Sequence, residues 1–113
     1  MKILITGGGG FLGSAVADKL KSSYDISCLD HGKNYQFLNK YFNNKVKLIK
    51  GEVSDKKLLR TIIKDIDIII HLAGVAGERR CVQDPLKSMI SNLYSTYTIV
   101  DVAKSFDIKK IIF

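Results

Sequence analysis

Short apolar runs alternate along the whole chain with stretches of helical period. Lys2-Ile3-Leu4-Ile5-Thr6 reads as a buried strand and runs directly into Gly7-Gly8-Gly9-Gly10. Phe11, Leu12, Ala15, Val16 and Leu20 then recur at helical spacing. Asp25 to Asp30 predicts a second strand, with Ile26, Cys28 and Leu29 apolar. His31 to Asn44 is polar, aromatic and rich in asparagine, which predicts a loop carrying a short helix from Tyr35 to Tyr41. Val46 to Ile49 predicts a third strand ending at Gly51. Ser54 or Asp55 caps a helix with Leu58, Leu59, Ile62 and Ile63 on one face. The nearly continuous apolar run from Asp67 to Leu72 suits a strand covered on both faces, and a loop of small residues, Ala73 to Gly77, follows it. Asp84 and Pro85 supply an N-cap and a first helical residue. Beyond them Leu86, Ile90, Leu93, Tyr97 and Val100 fall at spacings of four, three, four and three, which predicts one long amphipathic helix. Lys109 to Phe113 begins a fifth strand.

This β-α-β-(α)-β-α-β-α-β order predicts an α/β fold, a parallel sheet with helices on both faces. Residues 1–113 are expected to form one domain, with no repeats or linkers. The chain stops inside an apolar strand, so the expectation is the first part of a longer protein, truncated after its fifth strand. Fifteen isoleucines and 46% hydrophobic residues supply enough apolar surface to exclude a disordered chain. A membrane partner is not expected, because the longest apolar stretch, Ile66 to Val75, is short and is interrupted by Asp67 and His71. Cys28 and Cys81 form no CxxC pair and are too few for a disulfide scaffold, which points to a reduced, cytoplasmic setting. The balance of 18 basic and 11 acidic residues gives +7 and raises the question of nucleic acid. Only Arg60, Arg79 and Arg80 are arginines, however, and the lysines are scattered without interleaved aromatics, so solvated helix faces are the expected reading.

The first strand–helix turn carries the sharpest chemical signal. Gly8, Gly10 and Gly13 make G-x-G-x-x-G, and Gly7, Gly10 and Gly13 make G-x-x-G-x-x-G. Such glycines permit a tight turn, close backbone approach to a pyrophosphate, and close packing of helix on strand. The helix start then offers free N–H groups to phosphate. Asp30 ends the second strand, where a carboxylate accepts hydrogen bonds from ribose hydroxyls and repels a 2′-phosphate. NAD is therefore favoured over NADP, with Lys33 nearby as a counterweight. Together these features predict a Rossmann-like doubly wound parallel sheet in the order 3-2-1-4-5. His71, inside an apolar strand, reads as a satisfied core histidine, and Cys28 as core packing. Arg79 and Arg80 either face a substrate or lie in an exposed loop. No cluster has metal-ligand spacing.

Thr6-Gly7-x-x-Gly10-x-x-Gly13, Asp30, Gly51-Glu52-Val53-Ser54-Asp55, His71-Leu72-Ala73-Gly74 and Ser91-Asn92-Leu93 together resemble successive motifs of the extended short-chain dehydrogenase/reductases. Within that family the likeness is to NAD-dependent nucleotide-sugar epimerases and dehydratases, UDP-glucuronate and UDP-glucose 4-epimerases in particular. The resemblance implies a cofactor set of Gly7, Gly10, Phe11, Leu12, Gly13, Asp30, His31, Glu52, Val53, Leu72, Ala73, Gly74 and Asn92. In it the N–H groups of Phe11 and Leu12 turn to the pyrophosphate, while Glu52 and Val53 flank the adenine. Leu72, Ala73 and Gly74 pass under the cofactor, and Asn92 braces the loop after the fourth strand. The family usually has aspartate where Glu52 stands and glycine where Ser95 stands; the second departure bears on helix packing. The implied activity is transient hydride transfer to NAD from a carbon of a nucleotide-diphosphate sugar, in a protein expected to be a homodimer at full length. Two other classes fit parts of the pattern: a non-catalytic dinucleotide-sensing module, and a basic nucleic-acid-binding α/β protein.

The family's catalytic dyad is Tyr-x-x-x-Lys. Tyr41-Phe42-Asn43-Asn44-Lys45 matches that spacing, but it precedes the third strand, whereas the family's dyad follows the fifth. The dyad is expected beyond Phe113, and the 113 residues by themselves are expected to be inactive.

Overall fold

The structure is a computed structural model describing residues 1–113. Five strands, β1 (Lys2–Thr6), β2 (Asp25–Asp30), β3 (Val46–Lys50), β4 (Ile68–His71) and β5 (Lys110–Ile112), form one parallel sheet in the order β3-β2-β1-β4-β5. Successive side chains of a strand point to opposite faces, and β1 is apolar on both. Ile3 and Ile5 pack with Ala17, Ile26, Cys28, Leu38, Phe42 and Val46, beneath α1 (Phe11–Leu20) and α2 (Tyr35–Tyr41). Leu4 packs with Leu29, Leu59, Ile63, Ile69, Ile99 and Val102, beneath α3 (Lys56–Ile62) and α6 (Ser95–Ala103). The central strands lack polar alternation because helices cover both sides of them. No helix is long and apolar enough to cross a membrane.

Polar contacts fix the strand ends. At the amino ends, the Asp67 carboxylate accepts from Lys2 N at 2.8 Å and pairs with Lys109 Nζ at 2.6 Å, tying β1, β4 and β5 together. At the carboxyl ends, the Tyr35 hydroxyl donates to Ile49 O at 2.7 Å, with Cys28 O at 3.2 Å. That contact links β2 to β3, and burial pushes the Tyr35 hydroxyl's pKa up. Asp55, not Ser54, caps α3, accepting from the N–H groups of Lys57 and Leu58.

The segment after β4 departs from expectation. The small-residue loop leads into α4 (Glu78–Gln83), which has no buried residue and therefore no apolar period to announce it. Asp84 does cap the next helix, α5 (Pro85–Met89), accepting from Lys87 N at 3.0 Å. The single amphipathic helix is instead α5, a π-helical stretch (Ile90–Tyr94) and α6. Leu86, Ile90, Leu93, Tyr97 and Val100 all lie exposed, and the buried positions are Ser88, Ser95, Thr98, Ile99, Val102 and Ala103. Ser95 is buried without disturbing the packing, because its hydroxyl donates to the Ser91 carbonyl.

Candidate functional site

β1 lies between β2 and β4, and the chain leaves its carboxyl end toward one face of the sheet while the chain after β4 serves the other. This is the switch point at which open parallel sheets hold ligands. Gly7 follows β1 directly, with φ +72° and its N–H donating to Leu29 O at 2.9 Å. A Cβ on Gly7 would stand 2.7 Å from Ala73 N, so only glycine lets the turn touch the loop after β4. A Cβ on Gly13 would collide with the Gly7 carbonyl. The glycine spacing thus folds the turn back onto the first turn of α1, whose leading N–H groups have no intrahelical acceptor. No acidic side chain lies in that first turn to neutralise the positive helix end.

Asp30 stands at the end of β2 with its side chain only 11% exposed. One carboxylate oxygen accepts from Gly9 N at 2.9 Å, and the other lies 3.1 Å from His31 Nδ1. Glycine turn and carboxylate are therefore held as one unit. Asn34 adds a second tie, donating to Gly9 O at 3.4 Å.

A cleft of about 880 Å3 opens over these elements. Gly7, Gly10, Asp30, His31, Glu52, Val53, Leu72, Ala73 and Gly74 all line it. Phe11, Leu12, Gly13 and Asn92 do not. The side chains of Phe11 and Leu12 are exposed, and Phe11 borders a separate recess with Phe37 and Leu38. The far wall, made by α4, α5 and the π-helical stretch, was not legible from the sequence; it brings Arg80, Lys87 and Ser91 to the cleft, but not Arg79. The volume falls within the roughly 300–1,000 Å3 of small-molecule sites. A glycine turn, a strand-end carboxylate and a floor of small residues suit a dinucleotide in composition as well as size.

Beneath the cleft, Thr6 Oγ1 lies 2.6 Å from His71 Nδ1 and 3.3 Å from Ala73 N. His71 Nε2 lies 3.0 Å from Thr96 Oγ1. His71 is buried, and that burial lowers its pKa, so the ring is a neutral, hydrogen-bonded core group. Burial pushes the Cys28 thiol up to about 12, leaving it protonated and inert. Tyr41 lies at the end of α2, stacked on Phe37 with ring centroids 6.1 Å apart, and neither it nor Lys45 borders the cleft.

Fold and cleft together define a dinucleotide-binding parallel α/β protein. Residues 3–113 match the family model described as the NAD dependent epimerase/dehydratase family, and the chain belongs to that family. Over 121 residues it is 34% identical to the dTDP-D-glucose 4,6-dehydratase of Dictyostelium discoideum, covering 99% of this chain and 28% of that protein. It is 31% identical to the UDP-glucose 4-epimerase of Bacillus subtilis, covering 100% of this chain and 36% of that protein. The crystal structure of UDP-glucose 4-epimerase from Bifidobacterium longum in complex with NAD+ and UDP superposes with a TM-score of 0.88 at 30% identity. That match covers 100% of this chain and 36% of the other. The chain thus spans about a third of the length of the proteins it matches.

Proposed function

We propose that these 113 residues are the NAD-binding portion of a nucleotide-sugar epimerase or dehydratase. The observation that carries this reading is the joining, in one cleft, of the glycine turn, Asp30 and the small-residue floor of Ala73 and Gly74. The N–H groups of Phe11 and Leu12 take the pyrophosphate through the backbone, so the outward direction of their side chains does not matter. Asp30 keeps one carboxylate oxygen on Gly9 and turns lone pairs to the adenosine ribose, which favours NAD over NADP. Glu52 and Val53 flank the adenine, Leu72, Ala73 and Gly74 floor the cofactor, and Asn92 holds that floor in place. Bound NAD supplies the hydride acceptor and, once reduced, the hydride donor. In the full-length protein a sugar carbon would give up its hydride as its hydroxyl proton passes to a base; the resulting ketone would take the hydride back on its other face, or would lose water to an enone that takes it back. Tyr41 and Lys45 stand apart from the cleft and are assigned no part in this chemistry.

The reading includes a homodimer at full length, supported by the exposed stripe of Leu86, Ile90, Leu93, Tyr97 and Val100, and a cytoplasmic setting, supported by two free cysteines. Calorimetry with NAD+ and NADP+ tests the cofactor assignment. NAD+ is expected to bind the more tightly, and Asp30→Asn should weaken NAD+ by about 1.5–3 kcal/mol, as for a hydrogen bond to a charged group. Preference for NADP+, or an Asp30→Asn variant with unchanged NAD+ affinity, would overturn it. No turnover of a UDP-sugar is expected from the 113 residues; turnover would return Tyr41 and Lys45 to the active site.

A further inference from the structure

Three side chains lie under the cleft floor in an unbroken hydrogen-bonded series, and its direction is fixed by one of them. Thr96 Oγ1 lies 2.6 Å from the Asn92 carbonyl, which only accepts, so the Thr96 proton is committed there. Toward His71 Nε2, 3.0 Å away, Thr96 therefore presents a lone pair, and His71 must carry its proton on Nε2. His71 Nδ1 is then bare and accepts from Thr6 Oγ1 at 2.6 Å. Thr6, its proton spent, presents a lone pair to Ala73 N at 3.3 Å. The series starts at Ala73 in the cleft floor and ends at the backbone of Asn92.

Asn92 closes the circuit with its side chain. Its Oδ1 accepts from Val75 N at 2.7 Å and its Nδ2 donates to Val75 O at 2.9 Å. Gly74 lies between, and a Cβ there would stand 2.9 Å from Asn92 Oδ1, so the clamp requires glycine at that place. Within and just after the π-helical stretch, side-chain hydroxyls turn back onto carbonyls four residues earlier: Ser95 donates to Ser91 O, Thr96 to Asn92 O and Thr98 to Tyr94 O.

We infer that His71 is a positioning residue: held as the Nε2–H tautomer between Thr6 and Thr96, it fixes the Ala73–Val75 floor against which a dinucleotide lies. It acts through Thr6 and Asn92 and touches no ligand. The inference rests on the proposed dinucleotide site for its consequence, but its geometry is testable without ligand.

Nitrogen-15 NMR of the His71 ring in the 113-residue chain should show Nε2 protonated and Nδ1 bare; an Nδ1–H tautomer at His71 overturns the inference. Thr96→Val should raise the Nδ1–H population, speed amide exchange at Ala73 and Val75, and raise the NAD+ dissociation constant about fivefold, the effect of one hydrogen bond. Thr96→Ser keeps the hydroxyl and should restore all three readouts to within about twofold of wild type. Unchanged exchange at Ala73 in Thr96→Val, or failure of Thr96→Ser to restore it, likewise overturns the inference. If wild type itself does not bind NAD+, the cofactor reading falls, while the tautomer and exchange measurements still decide the role of His71.

Discussion

The two walls that meet over β1 are built on opposite plans. On the β1–α1 side the backbone forms the cleft wall: glycines remove side chains, and Gly7 adopts φ +72°. On the β4 side the loop also lines the cleft, yet it is set by the side chains of Thr6, His71, Asn92 and Thr96. The first wall stores its geometry in what is missing, the second in what is hydrogen-bonded. The first should therefore fail by collision and abruptly, and the second by loss of single hydrogen bonds and in increments.

The largest expected effect comes from forcing an atom into the glycine wall. Gly13→Ala places a Cβ against the Gly7 carbonyl and close to Gly8 Cα, backbone that cannot turn aside. It should destabilise the fold by about 1–3 kcal/mol, the usual cost of overpacking, and remove measurable NAD+ binding. Urea unfolding and calorimetry report the two effects. A variant with wild-type stability and affinity would show that the turn adapts and that the contrast between the walls is false.

Asn92→Ala tests the other wall. It removes two hydrogen bonds to Val75, both partly open to water, and should cost about 0.5–1.5 kcal/mol for each bond lost. NAD+ affinity should fall several-fold without disappearing. Amide exchange should quicken at Val75 and stay unchanged at Gly7 and Gly8 in the glycine turn. Loss of binding as complete as in Gly13→Ala would mean that the two walls are one mechanical unit.

The same contrast decides what the sequence disclosed. The glycine wall was legible because a turn that must meet Ala73 and the start of α1 admits no other residue, and Asp30 follows from strand-end position. Strand order was legible through the glycine turn after β1 and the carboxylate ending β2, which mark the doubly wound plan, and β1 and β4 are apolar on both faces as covered central strands are. The β4 side was not. Leu86, Ile90, Leu93, Tyr97 and Val100 repeat without interruption, so nothing in their spacing marks a π-helical stretch between them. Nor did they mark the buried face: the inward side carries Ser95 and Thr98, whose hydroxyls are satisfied by carbonyls four residues back. Hydropathy counts a hydroxyl as polar whether it faces water or its own helix. His71 is the core histidine its apolar strand implies, but its partners lie 65 and 25 residues away, and no local pattern names them.

The smallest expected effect needs no substitution, because protons alone act on one wall. Burial lowers the pKa of His71 below the usual histidine value, so at intermediate pH the unfolded chain binds a proton that the native protein refuses. Stability from this group is complete above the unfolded value of about 6.5 and is lost as pH falls through the lower folded value. Protonation would put a hydrogen on Nδ1, facing a Thr6 hydroxyl that needs that nitrogen as its acceptor. The half-buried carboxylates Asp18, Asp67 and Asp101 are held below their usual value by Lys21, Lys109 and Lys56. Their contributions are present above about 3.8 and vanish only in stronger acid, so the two windows separate. Urea midpoints of wild type should therefore decline gently from pH 7 to pH 5, and amide exchange at Ala73 should rise in the same interval while Gly7 stays constant. A flat stability profile across that interval, or a parallel rise at Gly7, would deny that the histidine belongs to the β4 wall alone.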